Sequence, residues 1–258
     1  MKPIVIIAAV PREIALLEQA LTTSVRVRSP LGTCCEGKLG RLPVVICAGG
    51  VGKVNAAAVT AALIERHHPK LVINTGCAGA YIESNLTVGE LAVASEEILG
   101  DEGVLTAEGW QDLGFMKLPS LTCGSRHYHN GIPLSTHAAG KAVQLADCYG
   151  VRLTRGKFIT VSTCSGTRRR GDELAARFHG ICENMEGAAV AQVCLRCGID
   201  CLEIRGISNL VEDRDMATWN IPLAVEAAQR FVLKFLEEMD RPELLKSGNL
   251  PVPDMDSL

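Results

Sequence analysis

The chain has no surplus of basic charge: across 258 residues, 26 lysines and arginines face 29 acids, for a net charge of −3. That balance gives no electrostatic case for nucleic acid as a partner. The one dense basic run, Arg168, Arg169 and Arg170, is followed at once by Asp172 and Glu173. It reads as a solvated helix start rather than an anion site. No apolar run approaches membrane-spanning length. Met1 leads straight into a strand-like segment, which leaves no room for a signal peptide. The expectation is a cytoplasmic protein with no membrane partner. The chain also lacks an internal repeat and a linker. Its 11 cysteines are an odd number, which argues against a complete disulfide framework. Cys47, Cys77, Cys194 and Cys201 lie inside apolar segments, as reduced, buried thiols do.

What is present fits a globular protein: 47% of residues are hydrophobic and 21% charged, enough for one large α/β domain with a substantial core. The domain is expected over 1–240, with a mobile, proline-bearing tail over 241–258. Short continuous apolar runs at 4–9 and 71–75 predict strands buried on both faces. Residues 33–47 read as a hairpin turning at Gly40 and Arg41. Further strands are expected at 89–95, 157–162 and 200–207. Helices are expected at 54–66, 136–148 and 172–179, after Asn184, and from Asn220 and Pro222 onward. Residues 100–134 read as loops with short elements. Strands alternating with helices imply a three-layer α/β/α fold with a central mixed, mainly parallel sheet. In such sheets ligands collect at the carboxyl ends of strands. Four motifs fall there: 10–13, 49–53, 76–79 and 208–209.

Two signals are set aside. The turn around Gly49, Gly50 and Gly52 looks like a phosphate loop, but Cys47 stands where its first glycine belongs and Val54 replaces the metal-binding hydroxyl. A tight turn that admits close backbone approach is the better reading. Cys194 and Cys197 have the spacing of half a zinc site but no second pair, and no metal or cofactor is expected. His127 and His129, flanking Tyr128, lack further ligands nearby.

Three polar residues remain as candidates. Glu13 sits just past the first strand, where a first-turn acid interacting with a helix dipole is the plain alternative. Glu186, between Met185 and Gly187 at a helix start, carries two acceptor oxygens that match the adjacent hydroxyls of a ribose. Asn209 closes a strand, where many asparagines are simply turn residues.

No one of these is specific alone; their order is. The stretches 7–13, 50–56, 74–79, 183–189 and 205–209 resemble the purine nucleoside phosphorylase superfamily, and within it the nucleosidases. The resemblance runs to about residue 240. It implies that Glu13 is the general base that activates water, and that Glu186 binds the ribose hydroxyls with Met185 packed on the sugar. It implies that Val51, Cys77, Ala78 and Gly79 wall the sugar and base pocket, and that Ser208 orients the base-recognition group, Asn209. It also implies a homo-oligomer, at least a dimer, acting on a small nucleoside and water.

Two features choose among branches. Phosphorylases of this superfamily hold phosphate with arginines in the first loop and before the Gly-x-Ala-Gly-like turn. Here those places carry Glu13 and Asn74, and a carboxylate there repels phosphate, with Arg12 the one residue weighing the other way. Water is therefore the expected nucleophile. The methylthioadenosine/S-adenosylhomocysteine nucleosidases carry Asp where this chain has Asn209. An ionised Asp only accepts, which suits a 6-amino purine; an Asn amide donates to a 6-oxo group. Stretches 103–110 and 208–215, with Trp219, are similar to the futalosine-cleaving nucleosidases. That likeness implies release of hypoxanthine on an alternative route to menaquinone. Arg126, His127, His129 and Arg168 are unranked candidates for the substrate's distal carboxylate, and Asp213 and Asp215 for a proton relay.

Overall fold

The runs of isoleucine and valine become the middle of a ten-stranded sheet. A computed structural model describes residues 1–29 and 31–240; the expected tail lies outside the described residues. The first half comprises β1 (Ile4–Ala8), α1 (Ala15–Ala20), β2 (Thr22–Ser29), β3 (Gly32–Leu39), β4 (Leu42–Ala48), α2 (Lys53–His67), β5 (Leu71–Ala80) and β6 (Leu91–Leu99). Short elements follow: β7 (Gly103–Thr106), β8 (Gly109–Asp112), α3 (Leu113–Met116), β9 (Leu121–Cys123), β10 (Arg126–Tyr128) and β11 (Gly131–Pro133). Then come α4 (Thr136–Tyr149), β12 (Leu153–Thr160), α5 (Arg168–Phe178), β13 (Gly180–Asn184), α6 (Gly187–Cys197), β14 (Asp200–Leu210) and α7 (Ile221–Asp240).

The sheet runs β11-β6-β12-β13-β5-β1-β4-β3-β2, and β14 pairs with both β5 and β6. β1 lies parallel between β4 and β5, and β12 lies parallel between β6 and β13. β13 meets β5 antiparallel, and β14 runs parallel to β5 and antiparallel to β6. The strands β5, β14, β6, β12 and β13 therefore close into a ring, with β1, β4, β3 and β2 extending from it as a wing. Helices α1, α4 and α7 pack on Ile4, Ile6, Ile73 and Ile204 of one face. Helices α2 and α6 pack on Val5, Ile7, Val72 and Ile207 of the other. The alternation of faces along a single apolar strand is the reason a continuous run, rather than a polar–apolar one, marks a doubly covered strand.

Several boundaries differ from expectation. β5 does not stop at Thr75. It continues through Gly76 and Gly79 to Ala80 because the extension has partners: β14 along its whole length, and β13 opposite Gly79 and Ala80. β14 likewise continues past Ile207 to Leu210, with an irregularity at Ser208. β2 was not anticipated: Thr22, Val25, Arg26 and Arg28 are exposed, so no core face left its mark. Strand β13, five residues long, is likewise absent from the expected elements. The helix holding the arginine run begins earlier than expected, with Thr167 Oγ1 accepting from Arg170 N. The run itself is a solvated helix start: Arg169 pairs with Glu173 and Arg168 with Asp172, one turn on.

Candidate active site

The carboxyl ends of β1, β4, β5 and β14 and the start of α6 meet in one place. Glu13 lies in a tight turn (Pro11–Glu13) opened by Pro11. Its side chain folds back, and Oε2 accepts from Ala9 N and Val10 N, both at 3.1 Å. Oε1 accepts from Cys77 N on β5, also at 3.1 Å. Three backbone donors hold a carboxylate that is only 4% exposed. A buried acid held this way is fixed in orientation, which a helix-dipole role does not require.

Gly76 makes the approach possible. Its φ is +152°, and a Cβ there would lie 2.6 Å from Glu13 Oε1 and 2.9 Å from Arg205 Nη1. The glycine is thus the gap through which strand β5 lets an acid from the turn after β1 and a cation from β14 come together.

Glu186 immediately precedes α6. The N-cap position is Glu186 itself rather than the expected Asn184, which ends β13; from there Asn184 Oδ1 accepts from Glu186 N at 2.9 Å and from Gly187 N at 2.7 Å. Glu186 Oε1 accepts from Gly52 N at 2.9 Å. Gly52 has φ +94°, a conformation that aims its N–H at the acid and that a side chain would strain. Glu186 Oε2 lies 3.6 Å from Arg205 Nη2. Burial pushes the Glu186 carboxyl above its ordinary range, while Arg205 and the Gly52 N–H oppose that shift. Burial, then the charge of Glu13, pushes the Cys77 thiol up to about 11, so it stays protonated.

Arg205 is the residue to which sequence reasoning assigned no role. It is 2% exposed, donates from Nε to Glu203 Oε1 at 2.9 Å and from Nη1 to Cys77 O at 3.3 Å, and faces Glu186. The available signal was strand parity: Glu203 and Arg205 are two apart, so they share one face within the otherwise apolar run 201–207.

Ser208 and Asn209 form the neighbouring group. Ser208 Oγ lies 2.8 Å from Asn209 Oδ1 and 3.2 Å from Ala78 O. Asn209 Nδ2 donates to Leu210 O at 3.0 Å. A carbonyl can only accept, so the amide nitrogen must be the atom that faces Leu210, and Oδ1 the atom that faces Ser208. The β14 irregularity at Ser208 turns these side chains relative to the strand below. A Cβ at Gly79 would meet Asn209 Nδ2 at 3.1 Å, so Gly79 packs directly on the amide.

The remaining expected residues divide. Cys77, Ala78 and Gly79 bridge the acid pair and the Ser208–Asn209 group; Met185 is half-buried beside Glu186, and Val51 is exposed in the turn before α2. Arg126 and His127 do not come to this place within the chain. They lie on the β9–β10 hairpin, which packs by Cys123 Sγ on Leu195 O, and through Gln192 donating to Ser120 O, on the far half of α6. Arg168 pairs with Asp172. Asp213 accepts from Arg168 N, and Asp215 accepts from Ala217 N; both cap backbone at the surface. Arg12 is exposed. Among the described residues no cluster of His, Cys, Asp and Glu could hold a metal.

Residues 3–237 match the model of the phosphorylase superfamily, and the chain belongs to that superfamily. It is 37% identical over 189 residues to futalosine hydrolase of Thermus thermophilus, covering 73% of this chain and 79% of that protein. It is 31% identical over 222 residues to the 5'-methylthioadenosine/S-adenosylhomocysteine nucleosidase of Mycobacterium bovis, covering 80% and 84%. The fold is that of the corresponding nucleosidase from Neisseria meningitidis in complex with methylthio-immucillin-A (TM-score 0.81, 22% identity, covering 92% of this chain and 100% of that one). Within the superfamily the chain is a nucleosidase, a hydrolase of N-glycosidic bonds, of the group that these two kinds of enzyme make up.

Proposed function

We propose that the chain hydrolyses the N-glycosidic bond of futalosine and releases hypoxanthine, a step toward menaquinone. The observation that carries this reading is the orientation of Asn209. With Oδ1 given to Ser208 and one N–H given to Leu210 O, the amide keeps one N–H to offer a purine. A donor suits a 6-oxo group and mismatches a 6-amino group. The 37% identity to a futalosine hydrolase supports the same choice.

In this mechanism Glu13 holds a water on the open face of the sugar and takes its proton as the oxygen bonds the anomeric carbon. The C–N bond breaks and its electron pair goes to the purine, whose charge Asn209 stabilises by hydrogen bonding. Glu186 binds the ribose hydroxyls, and its charge favours the cationic sugar of the transition state. Met185 packs on the sugar, and Val51, Cys77, Ala78 and Gly79 form the walls. Asp213 and Asp215, occupied as caps, need not relay a proton. Catalysis is proposed in the cytoplasm, by an assembly of at least two copies. Val54, Leu105, Phe115 and Leu118, all exposed, are the apolar side chains a second copy would cover; sedimentation as a monomer would remove that part.

The competing reading is a methylthioadenosine/S-adenosylhomocysteine nucleosidase, favoured by the longer, 222-residue match to that class. The test compares hypoxanthine release from futalosine with adenine release from methylthioadenosine, each with and without phosphate. Faster adenine release would reverse the assignment, and a phosphate-dependent rate would make the chain a phosphorylase. Asn209→Asp is expected to move the ratio of the two kcat/KM values toward the adenine nucleoside by at least about tenfold.

A further inference from the structure

Beneath the candidate site the closed ring of strands encloses two acids that the proposed mechanism does not use. Glu97 on β6 and Glu203 on β14 are both 0% exposed, and their carboxyl groups are within hydrogen-bonding reach of each other. Gly187, at the start of α6, is the cradle between them: a Cβ there would overlap Glu97 Oε1 and Glu203 Oε2.

Three of the four carboxyl oxygens have donors. Thr160 Oγ1 donates to Glu97 Oε2 at 2.6 Å and Asn184 Nδ2 to Glu97 Oε1 at 2.7 Å. Arg205 Nε donates to Glu203 Oε1 at 2.9 Å. Glu203 Oε2 has no protein donor among the described residues, and the group it faces is another carboxyl. Two carboxylates in contact in a dry interior do not both ionise, and a buried oxygen without a partner is costly. One proton between Glu203 Oε2 and Glu97 Oε1 resolves both.

We propose that Glu97 and Glu203 share a single proton and together present one negative charge behind Arg205, making Glu203 a positioning residue for the hydrolysis. Through Arg205 the pair governs how much positive charge reaches Glu186 and Glu13. With one negative charge behind it, the guanidinium is held back toward Glu203 and leaves the two acids at the site their negative field. Loss of the shared proton doubles the charge behind Arg205 and draws it further from Glu186, whose Oε2 then loses the cation 3.6 Å away that fixes it toward the ribose, so kcat falls.

The other charged or titratable groups around the pair are few. Arg205 and Cys201 share β14 with Glu203, Cys182 and Glu183 lie on β13, Glu186 precedes α6, and Glu13 reaches Arg205 from past β1. Both thiols are driven well above their ordinary range, Cys182 chiefly by burial and Cys201 by its hydrogen bond to Cys194 and by burial, so they add no charge. Glu183 is occupied by Ser165 and Tyr81.

Glu203→Gln separates this role from mere packing. Its amide oxygen accepts from Arg205 and its NH2 donates to Glu97, so the bonds and the single negative charge remain while the proton is no longer needed. The first measurement is infrared: the wild type shows the C=O stretch of a protonated, buried carboxyl at neutral pH, and E203Q loses it. The second is kinetic and rests on the proposed roles of Glu13 and Glu186. E203Q keeps kcat and KM within about twofold at neutral pH but lacks the alkaline fall in kcat that loss of the shared proton causes in the wild type. Glu203→Met, which cannot accept from Arg205 Nε, lowers kcat about tenfold with KM little changed.

The proposal is overturned by an unchanged infrared band in E203Q, by no such band in the wild type, or by an alkaline limb with the same midpoint in both. The infrared arm needs no substrate, so it stands whichever nucleoside proves to be cleaved. A wild type inactive on every nucleoside would count against the catalytic reading and leave the pair to be judged by its spectrum. If E203M fails to fold, E203Q decides alone.

Discussion

The inner wing strands β1 and β4 and the ring belong to one sheet and reach the same depth, yet they are held together differently. In the wing, Ile4, Ile6, Val44 and Ile46 are at most 1% exposed, and what counts is apolar volume removed from water. In the ring, Glu97, Thr160, Asn184, Glu203 and Arg205 occupy equivalent depth, and what counts is whether each donor has an acceptor. The first arrangement tolerates change of shape in small steps. The second does not, because removing one member leaves another charged or polar group stranded.

The comparison can be broken most severely at the mouth of the ring. Glu13→Gln is expected to lower turnover by about 10²–10⁴, with the fold retained and the thermal midpoint lowered only modestly, because the amide oxygen still accepts from Ala9 and Val10 while its NH2 leaves the Cys77 N–H unpaired. Retained activity in a steady-state assay would remove Glu13 from the chemistry. Next, Arg205→Met strands Glu203 and Glu186 and should cost about 3–5 kcal/mol of stability, read by denaturant titration. Its counterpart in the wing, Ile6→Val, should cost only about 0.5–1.5 kcal/mol; equal losses would erase the distinction drawn between the two halves.

A smaller effect concerns pH. Burial, then Glu203, holds the Glu97 carboxyl well above the ordinary carboxylate range. The folded state therefore binds more protons than the unfolded one. The stability this contributes is full at acid pH and is lost as pH rises through the folded value. The thermal midpoint of the wild type should decline across that window relative to Glu203→Gln, where an amide replaces the shared proton. Parallel curves would mean that the pair does not titrate as described.

The wing was legible in the sequence because apolar runs such as 4–9 report a doubly covered strand directly. Glu13, Glu186 and Asn209 stand out in the sequence as candidates through motif order, and the structure brings the first two to within reach of one guanidinium. The ring was not legible. Its acids lie on strands that look ordinary, and whether Glu97 and Glu203 touch depends on β14 joining β6, a contact between segments about a hundred residues apart. Strand β2 escaped notice for the opposite reason, since its exposed side chains carry no period that a core would impose.

The order of the strands also decides where the sheet is open. Closure of β14 onto both β5 and β6 leaves β2 and β11 as the two ends of the main path. One end carries the exposed arginines Arg26 and Arg28; the other is only three residues long and includes Pro133. Charge on an unpaired edge, and a proline that cannot donate to a newcomer, both discourage another chain from adding a strand. Any association between copies should therefore proceed through side chains rather than by strand addition, leaving the backbone ladders of each molecule complete in themselves.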